Sequence, residues 1–296
     1  MVGRAFVPLV LLAMLALAGC GTAPRASGPA SSPGPVRTLT YCNGQLMDIQ
    51  EGSGRGPHPV AVYVHGGGWE RGDRRGGGFI GVLRPELASR GFVVASIDYR
   101  LAPANRWPAQ IVDAKCAIRY LRAHHADYDL DSSRIGVWGG SAGGQLVSLL
   151  GLAGPQAGWD VGAYSDQSSQ VQAVVDLFGP SDFTGELQNS AIARSRIHQL
   201  LGNVPPSSRP AALAAASPVT YIKPGDPPFL ILQGEADTTV PPAQSVELDQ
   251  RLRAAGDSSR LVLVAGGRHG LLQPDERPGQ AQLEQTIVDF LVQHLG

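Results

Sequence analysis

Short apolar runs that close on turn-forming residues constrain the fold of this chain more than any other feature. Residues 58–65, 92–97, 134–138, 171–178, 228–233 and 260–264 are dense in Val, Ile, Leu and Phe. Most of them lack the apolar/polar alternation of a strand with one wet face, so they read as strands buried on both faces. Between them lie segments with helical spacing: 79–89, stopped by Gly91; 108–124; a stretch opening near Gln145; 242–255, closed by Gly256; and 280–295. In residues 108–124 the spacing is carried by Ile111, Val112, Ala114, Ala117, Ile118 and Leu121. The alternation repeats at roughly 30-residue intervals, the length of a βαβ unit. Strands joined by helices must run parallel, and their helices must cover both faces of the sheet. Residues 37–42 and 45–50, turned by Asn43-Gly44, add an antiparallel hairpin. The expected fold class is α/β, with a mostly parallel eight-stranded sheet and helices on both faces.

A length of 296 residues suits one undivided α/β domain. A net charge of −1 gives no reason to expect nucleic acid or an anionic membrane surface as a partner. The first residues have a different character. Arg4 precedes an apolar run over 5–18 that is too short to span a bilayer and suits a signal peptide. The run ends in Leu17-Ala18-Gly19-Cys20, which resembles the lipobox of bacterial lipoproteins. By that resemblance, residues 1–19 are removed and Cys20 carries the lipid, the chain's only link to the membrane. Residues 20–35, rich in Gly, Ala, Ser, Thr and Pro, then form a tether, and 36–296 is the folded domain. The protein is expected outside the cytoplasm, on the outer face of the cell membrane or secreted. Cys42 and Cys116 remain in a compartment that permits disulfides. Whether they pair or stay as buried thiols depends on a Cα separation below about 7 Å.

The candidate chemistry centres on Gly139-Gly140-Ser141-Ala142-Gly143-Gly144, preceded by a strand and followed by a helix. A serine hydroxyl is a weak nucleophile and must be presented on a tight, strained turn within reach of a base. Gly139 and Gly143 occupy the positions where a side chain would strike the neighbouring strand or helix. In a chain with 38 glycines the motif alone proves little. Its weight comes from Asp237 and His269, each a few residues past a predicted strand end and therefore on the same edge of the sheet. Asp237 is expected to orient the imidazole, and His269 to move the serine proton. Asp182, which also follows a strand, is the rival acid. Of the seven histidines, His269 alone sits in a glycine-rich loop between the last strand and the last helix. His65-Gly66-Gly67-Gly68-Trp69 follows a buried strand with backbone free of side chains, suited to cradling an oxyanion. Gly67, Gly68 and Ala142 are the expected donors, His65 a loop anchor, and Trp69 a substrate contact. Trp107 and Trp159 fit either the pocket or the core.

Together with Asp98-Tyr99-Arg100-Leu101-Ala102-Pro103, these motifs resemble the α/β-hydrolase superfamily in its hormone-sensitive-lipase-like branch. They are most similar to bacterial feruloyl and acetyl-xylan esterase-like carboxylesterases. The resemblance runs from about Tyr41 to the C-terminus. It implies catalytic roles for Ser141, Asp237 and His269, and a bracing role for Asp98 and Arg100 at the oxyanion loop. It implies a serine carboxylesterase forming an acyl-enzyme on short-chain, acetyl or aryl esters, of small molecules or polysaccharide, without a cofactor. Gly140 stands where lipase-like members carry an acid, and the long N-terminal helical cap is missing. A small lid must therefore come from 151–169 and 183–222. No His-Glu-x-x-His and no closely spaced cysteine pair suggests a metal. The alternatives are an inactive hydrolase scaffold used for binding at the surface, or an arylformamidase-like or peptidase-like hydrolase.

Overall fold

Strand β3 (His58–Val64) is buried along its whole length, and its side chains divide between two cores. Val60, Val62 and Val64 enter one cluster, while Ala61 and Tyr63 enter the other. This is the period-two geometry of a strand that separates two apolar layers. The computed structural model describes residues 1–3, 32–77, 79–185, 187, 190–202, 204 and 208–296. Residues 4–19 of the expected signal peptide, and Cys20, lie outside the described residues. The unit Ser31–Gly296 is built on one sheet.

Around β3 lie β1 (Arg37–Thr40), β2 (Leu46–Gln50), β4 (Val93–Ile97), β5 (Leu130–Gly140), β6 (Ala173–Leu177), β7 (Phe229–Gly234) and β8 (Ser259–Val264). They form an eight-stranded sheet in the order β1-β2-β4-β3-β5-β6-β7-β8. Only the β1–β2 and β2–β4 pairs are antiparallel; β4, β3, β5, β6, β7 and β8 run parallel. One face is covered by α2 (Ala109–Ala123), α3 (Ala142–Leu152) and α6 (Pro242–Ala254), with α4 (Ala191–Leu201) and α5 (Arg209–Ala216) joining the same apolar cluster. The other is covered by α1 (Ile80–Ser89) and α7 (Gln280–Leu295). Each fully buried Val, Leu or Ile in these layers contributes about 1.5–3 kcal/mol of transfer free energy.

Cys42 lies in the turn between β1 and β2, where Asn43 and Gly44 both have positive φ, and not within a strand as its apolar neighbours suggest. The turn sets its Cα 6.2 Å from that of Cys116 on α2, and the two form a disulfide. The bridge fastens the antiparallel edge of the sheet to a helix that packs on its centre.

The loop over 151–169 is held away from the cleft. Buried Lys115 of α2 donates to the Ala153 carbonyl (2.8 Å), Ser169 Oγ (2.9 Å) and Asp160 (3.1 Å). Arg119, one turn on, donates to Asp160 (3.0 Å) and the Val161 carbonyl (2.7 Å). Trp159 packs edge-on against Trp107 at 5.2 Å and against Tyr221 at 5.4 Å. This loop therefore supplies no lid, and Trp107 and Trp159 belong to the core. An ionic network around two buried cations makes a rigid anchor because opening it would strand charge in the interior.

The Cys42–Cys116 bridge closes a 74-residue separation, for which chain entropy predicts stabilisation of about 4.5 kcal/mol. Cys42→Ser/Cys116→Ser should lower the urea midpoint by that equivalent, with the denaturant slope showing whether the unfolded ensemble expands. An unchanged midpoint would remove any stabilising role for the bridge.

Candidate active site

Strand β5 ends at Gly140 and α3 begins at Ala142, leaving Ser141 alone at the turn with φ 58° and ψ −121°. Positive φ is uncommon outside glycine and costs about 1–3 kcal/mol, tolerated where surrounding packing dictates it. Here the packing is backbone on backbone. A Cβ on Gly143 would lie 2.1 Å from the Val64 carbonyl oxygen, so only glycine lets α3 press against the end of β3. The Ser141 amide donates to the Leu177 carbonyl at 2.9 Å, which ties the turn to β6 on the other side.

His269 follows β8 in a loop, and its ring packs edge-on against Phe178 at 4.9 Å. Its Nδ1 lies 2.7 Å from Asp237 Oδ2, and its Nε2 lies 2.9 Å from Ser141 Oγ. With Nδ1 facing a carboxylate, that nitrogen carries the hydrogen; Nε2 is left to accept the serine O–H. The Asp237 side chain is fully buried. Its Oδ1 accepts the amides of Thr239 (2.8 Å) and Val240 (3.0 Å), and its Oδ2 also receives Gln233 Nε2 at 3.3 Å. Asp182, the rival acid, instead accepts the Thr184 amide at 2.7 Å and hydroxyl at 2.6 Å.

The loop after β3 is shaped by positive φ at Gly67 (105°), Gly68 (65°) and Trp69 (61°). A Cβ on Gly67 would lie 2.0 Å from the Arg71 carbonyl oxygen. Among the described residues, none of the Gly67, Gly68 and Ala142 amides donates to a backbone carbonyl. Those of Gly67 and Gly68 belong to residues that line the cleft beside Ser141; that of Ala142 lies in the first turn of α3, where helix amides lack partners. His65 is buried, donates from Nδ1 to the Gly66 carbonyl at 2.7 Å, and stacks on Tyr99 at 4.2 Å. Burial pushes its imidazole below the usual value and opposes protonation, with the Gly66 bond and nearby Asp98 working weakly against it. It anchors the loop. Asp98 braces the far end by accepting the Arg74 amide (2.7 Å) and guanidinium (2.9 Å). Arg100 does not brace this loop: it forms a bidentate pair with Asp113 of α2, because the chain has turned toward α2 by that point. The loop contact expected of it is made by Tyr99, whose hydroxyl donates to the His65 carbonyl at 3.0 Å.

Ser141 and His269 open onto a cavity of about 850 Å³ with apolar walls from Phe178, Val240, Leu187 and Ile197. Ile192 of α4 and Leu272 stand exposed at its rim. The cover comes from α4, which is tied to the loop after β3 by an ion pair between Arg196 and Glu70. Trp69 lines the cavity, but its indole N–H is directed to Gln145 Oε1 at 3.0 Å. Gln233 and Gln145 were invisible as site residues because an isolated glutamine on a strand or helix carries no motif. Among the described residues, no group of three or more His, Cys, Asp or Glu is arranged to hold a metal ion.

Residues 47–252 match BD-FAE, more than half of the chain. The chain belongs to the BD-FAE family. It is 33% identical over 258 residues to a probable carboxylic ester hydrolase of Mycobacterium tuberculosis, LipM, with 80% of this chain and 59% of LipM covered. Two further relatives from the same organism, the esterases LipC and LipQ, are covered over 57% and 55% of their lengths, so the chain spans little more than half of these curated relatives. Among solved structures, a truncated carbohydrate esterase from gut microbiota aligns at a TM-score of 0.74 and 29% identity, covering 91% of this chain and 98% of that one. Esterase Est2 of Thermogutta terrifontis with propionate bound gives a TM-score of 0.71 at 25% identity, covering 88% and 94%. The architecture is the α/β-hydrolase fold. The BD-FAE match takes in Ser141 and Asp237 and stops before His269.

Beneath α3, Asp176 of β6 is buried, accepting Ser148 Oγ–H and the Gly179 amide, each at 2.8 Å. Burial pushes its carboxyl up to about 6. The folded state thus holds a proton that the unfolded chain releases near pH 4, so stability from this group is full below about pH 4 and falls as pH rises to about 6. Asp176→Asn keeps an acceptor for the Gly179 amide, turns its amide N–H toward Ser148 Oγ, which then accepts, and removes the titration. Relative to wild type, it should gain up to about 3 kcal/mol between pH 4 and pH 7 in urea unfolding. Parallel pH profiles for the two proteins would exclude this role.

Proposed function

We propose that this protein is a serine carboxylic-ester hydrolase working through an acyl-enzyme on Ser141. The reading is carried by the continuous pair of hydrogen bonds from Ser141 through His269 to Asp237. His269 Nε2 takes the hydroxyl proton as Oγ attacks the ester carbonyl, and the carbonyl oxygen becomes an oxyanion facing the Gly67, Gly68 and Ala142 amides. Asp237, oriented by Thr239 and Val240, stabilises the imidazolium and keeps its tautomer. Collapse breaks the C–O bond, with His269 returning the proton to the leaving alkoxide. Water then repeats the attack on the acyl-enzyme, releasing the acid and restoring the Ser141 hydroxyl.

The substrates are short-chain, acetyl or aryl esters of small molecules or polysaccharide. Support comes from likeness to proteins described as a carbohydrate esterase and as Est2 with propionate bound. The sequence Leu17-Ala18-Gly19-Cys20 and the tether that follows support export and lipid anchoring through Cys20, with residues 36–296 as the catalytic domain.

Ser141→Ala should reduce kcat on nitrophenyl acetate by about 10⁶, and a fluorophosphonate probe should label the wild-type protein at Ser141. Turnover that survives the substitution would sink the esterase reading. Growth with radiolabelled palmitate should label the exported protein and leave Cys20→Ser unlabelled; equal labelling of both would discard the anchor.

A further inference from the structure

Gln145 lies in the first turn of α3, four residues beyond Ser141, and is fully buried. Its side chain is divided between two segments far away in sequence. Oε1 accepts the indole N–H of Trp69 at 3.0 Å, and Nε2 donates to the carbonyl of Ala216, the last residue of α5, at 2.8 Å. Trp69 directly follows Gly67 and Gly68 and itself has φ 61°. Its ring meets Phe183 edge-on at 5.6 Å, and its carbonyl accepts the Ala102 amide at 2.8 Å. A bulky residue held at positive φ needs its surroundings to dictate the conformation, and among the described residues the Gln145 bond is the one hydrogen bond made by the Trp69 side chain.

We propose that Gln145 is a positioning residue: it sets the distance between the Gly67–Gly68 amides and Ser141 by tying Trp69 to the helix that carries the nucleophile. The inference rests on the esterase reading. The nucleophile and the clamp ride on one rigid helix, one turn of about 5.4 Å apart, so a loop fixed to Gln145 is fixed relative to Ser141. The second bond ties the end of α5 to the same frame. The site asks for one acceptor and one donor from a single buried side chain, and a neutral primary amide provides both. A carboxylate would oppose the Ala216 carbonyl, and an aliphatic chain would strand an indole N–H and a carbonyl.

The test uses Gln145→Leu, Trp69→Phe and the double variant of the full-length protein with nitrophenyl acetate. Because oxyanion donors act in the transition state, Gln145→Leu should lower kcat about 30–100-fold while KM changes less than about threefold. Fluorophosphonate inactivation should slow in parallel. Trp69→Phe should reproduce the loss, and the double variant should be no worse than the poorer single one, as expected of partners in one interaction. A folded Gln145→Leu with near-normal kcat, or losses that multiply in the double variant, would overturn the inference. If Gln145→Leu does not fold, Trp69→Phe decides: it keeps an aromatic ring but removes the donor together with part of the indole, so unaltered kcat refutes the clamp. Absence of both turnover and Ser141 labelling in the wild-type protein would instead overturn the esterase reading, and this inference with it.

Discussion

The backbone contact between α3 and the end of β3 governs everything else at the site. Gly143 lies so close to the Val64 carbonyl that no Cβ fits between them, and this proximity brings two otherwise separate turns together. One turn presents Ser141, and the other unrolls from His65 to Trp69. Were α3 pushed outward by the width of one methyl group, the Ser141 hydroxyl and the Gly67–Gly68 amides would no longer face the same small volume. The strain at Ser141 is sustained because β3, β5 and β6 hold the turn from both sides.

Around this contact the protein uses buried amides where charges would be costly. Gln145 joins α3 to Trp69 and Ala216, Gln233 supports Asp237, and Gln244 receives the amides of Ser181 and Asp182. A neutral amide can satisfy a buried donor and a buried acceptor without the desolvation penalty of an ion. Ions are placed farther out, where each has a partner: Arg74 between Asp48 and Asp98, Arg100 on Asp113, Lys115 and Arg119 on Asp160. These pairs hold loops to the scaffold, while Asp237 is held beside His269 by the Thr239 and Val240 amides and Gln233. Asp176 fits the same pattern, since burial beneath α3 favours its protonated form.

Much of this was legible in the chain itself. Continuous apolar runs identified the buried strands, because a parallel strand covered on both sides has no polar face to reveal its period. The Ser141, Asp237 and His269 positions could be read because each follows a strand end, and parallel strands deliver their C-terminal ends to one edge. Local backbone chemistry marked the turns: Asn43-Gly44 for the hairpin, Gly67-Gly68 for the loop, Gly143 for the elbow. In each case the determining contacts lie within a few residues or follow from strand direction.

Tertiary structure decided whatever depended on separations between distant segments. Cys42 meets Cys116 because a turn, and not a strand, carries the first of them to α2. Arg100 turns to Asp113 while neighbouring Tyr99 takes the loop contact. The 151–169 segment is held against α2 by Lys115 and Arg119, which leaves α4 to cover the cleft. Gln145 gained its place by the same route. Local sequence determines where strands, turns and reactive groups fall because their geometry is written in φ, ψ and periodicity. Which buried donor meets which acceptor is set by packing across the whole sheet, and no local pattern encodes it.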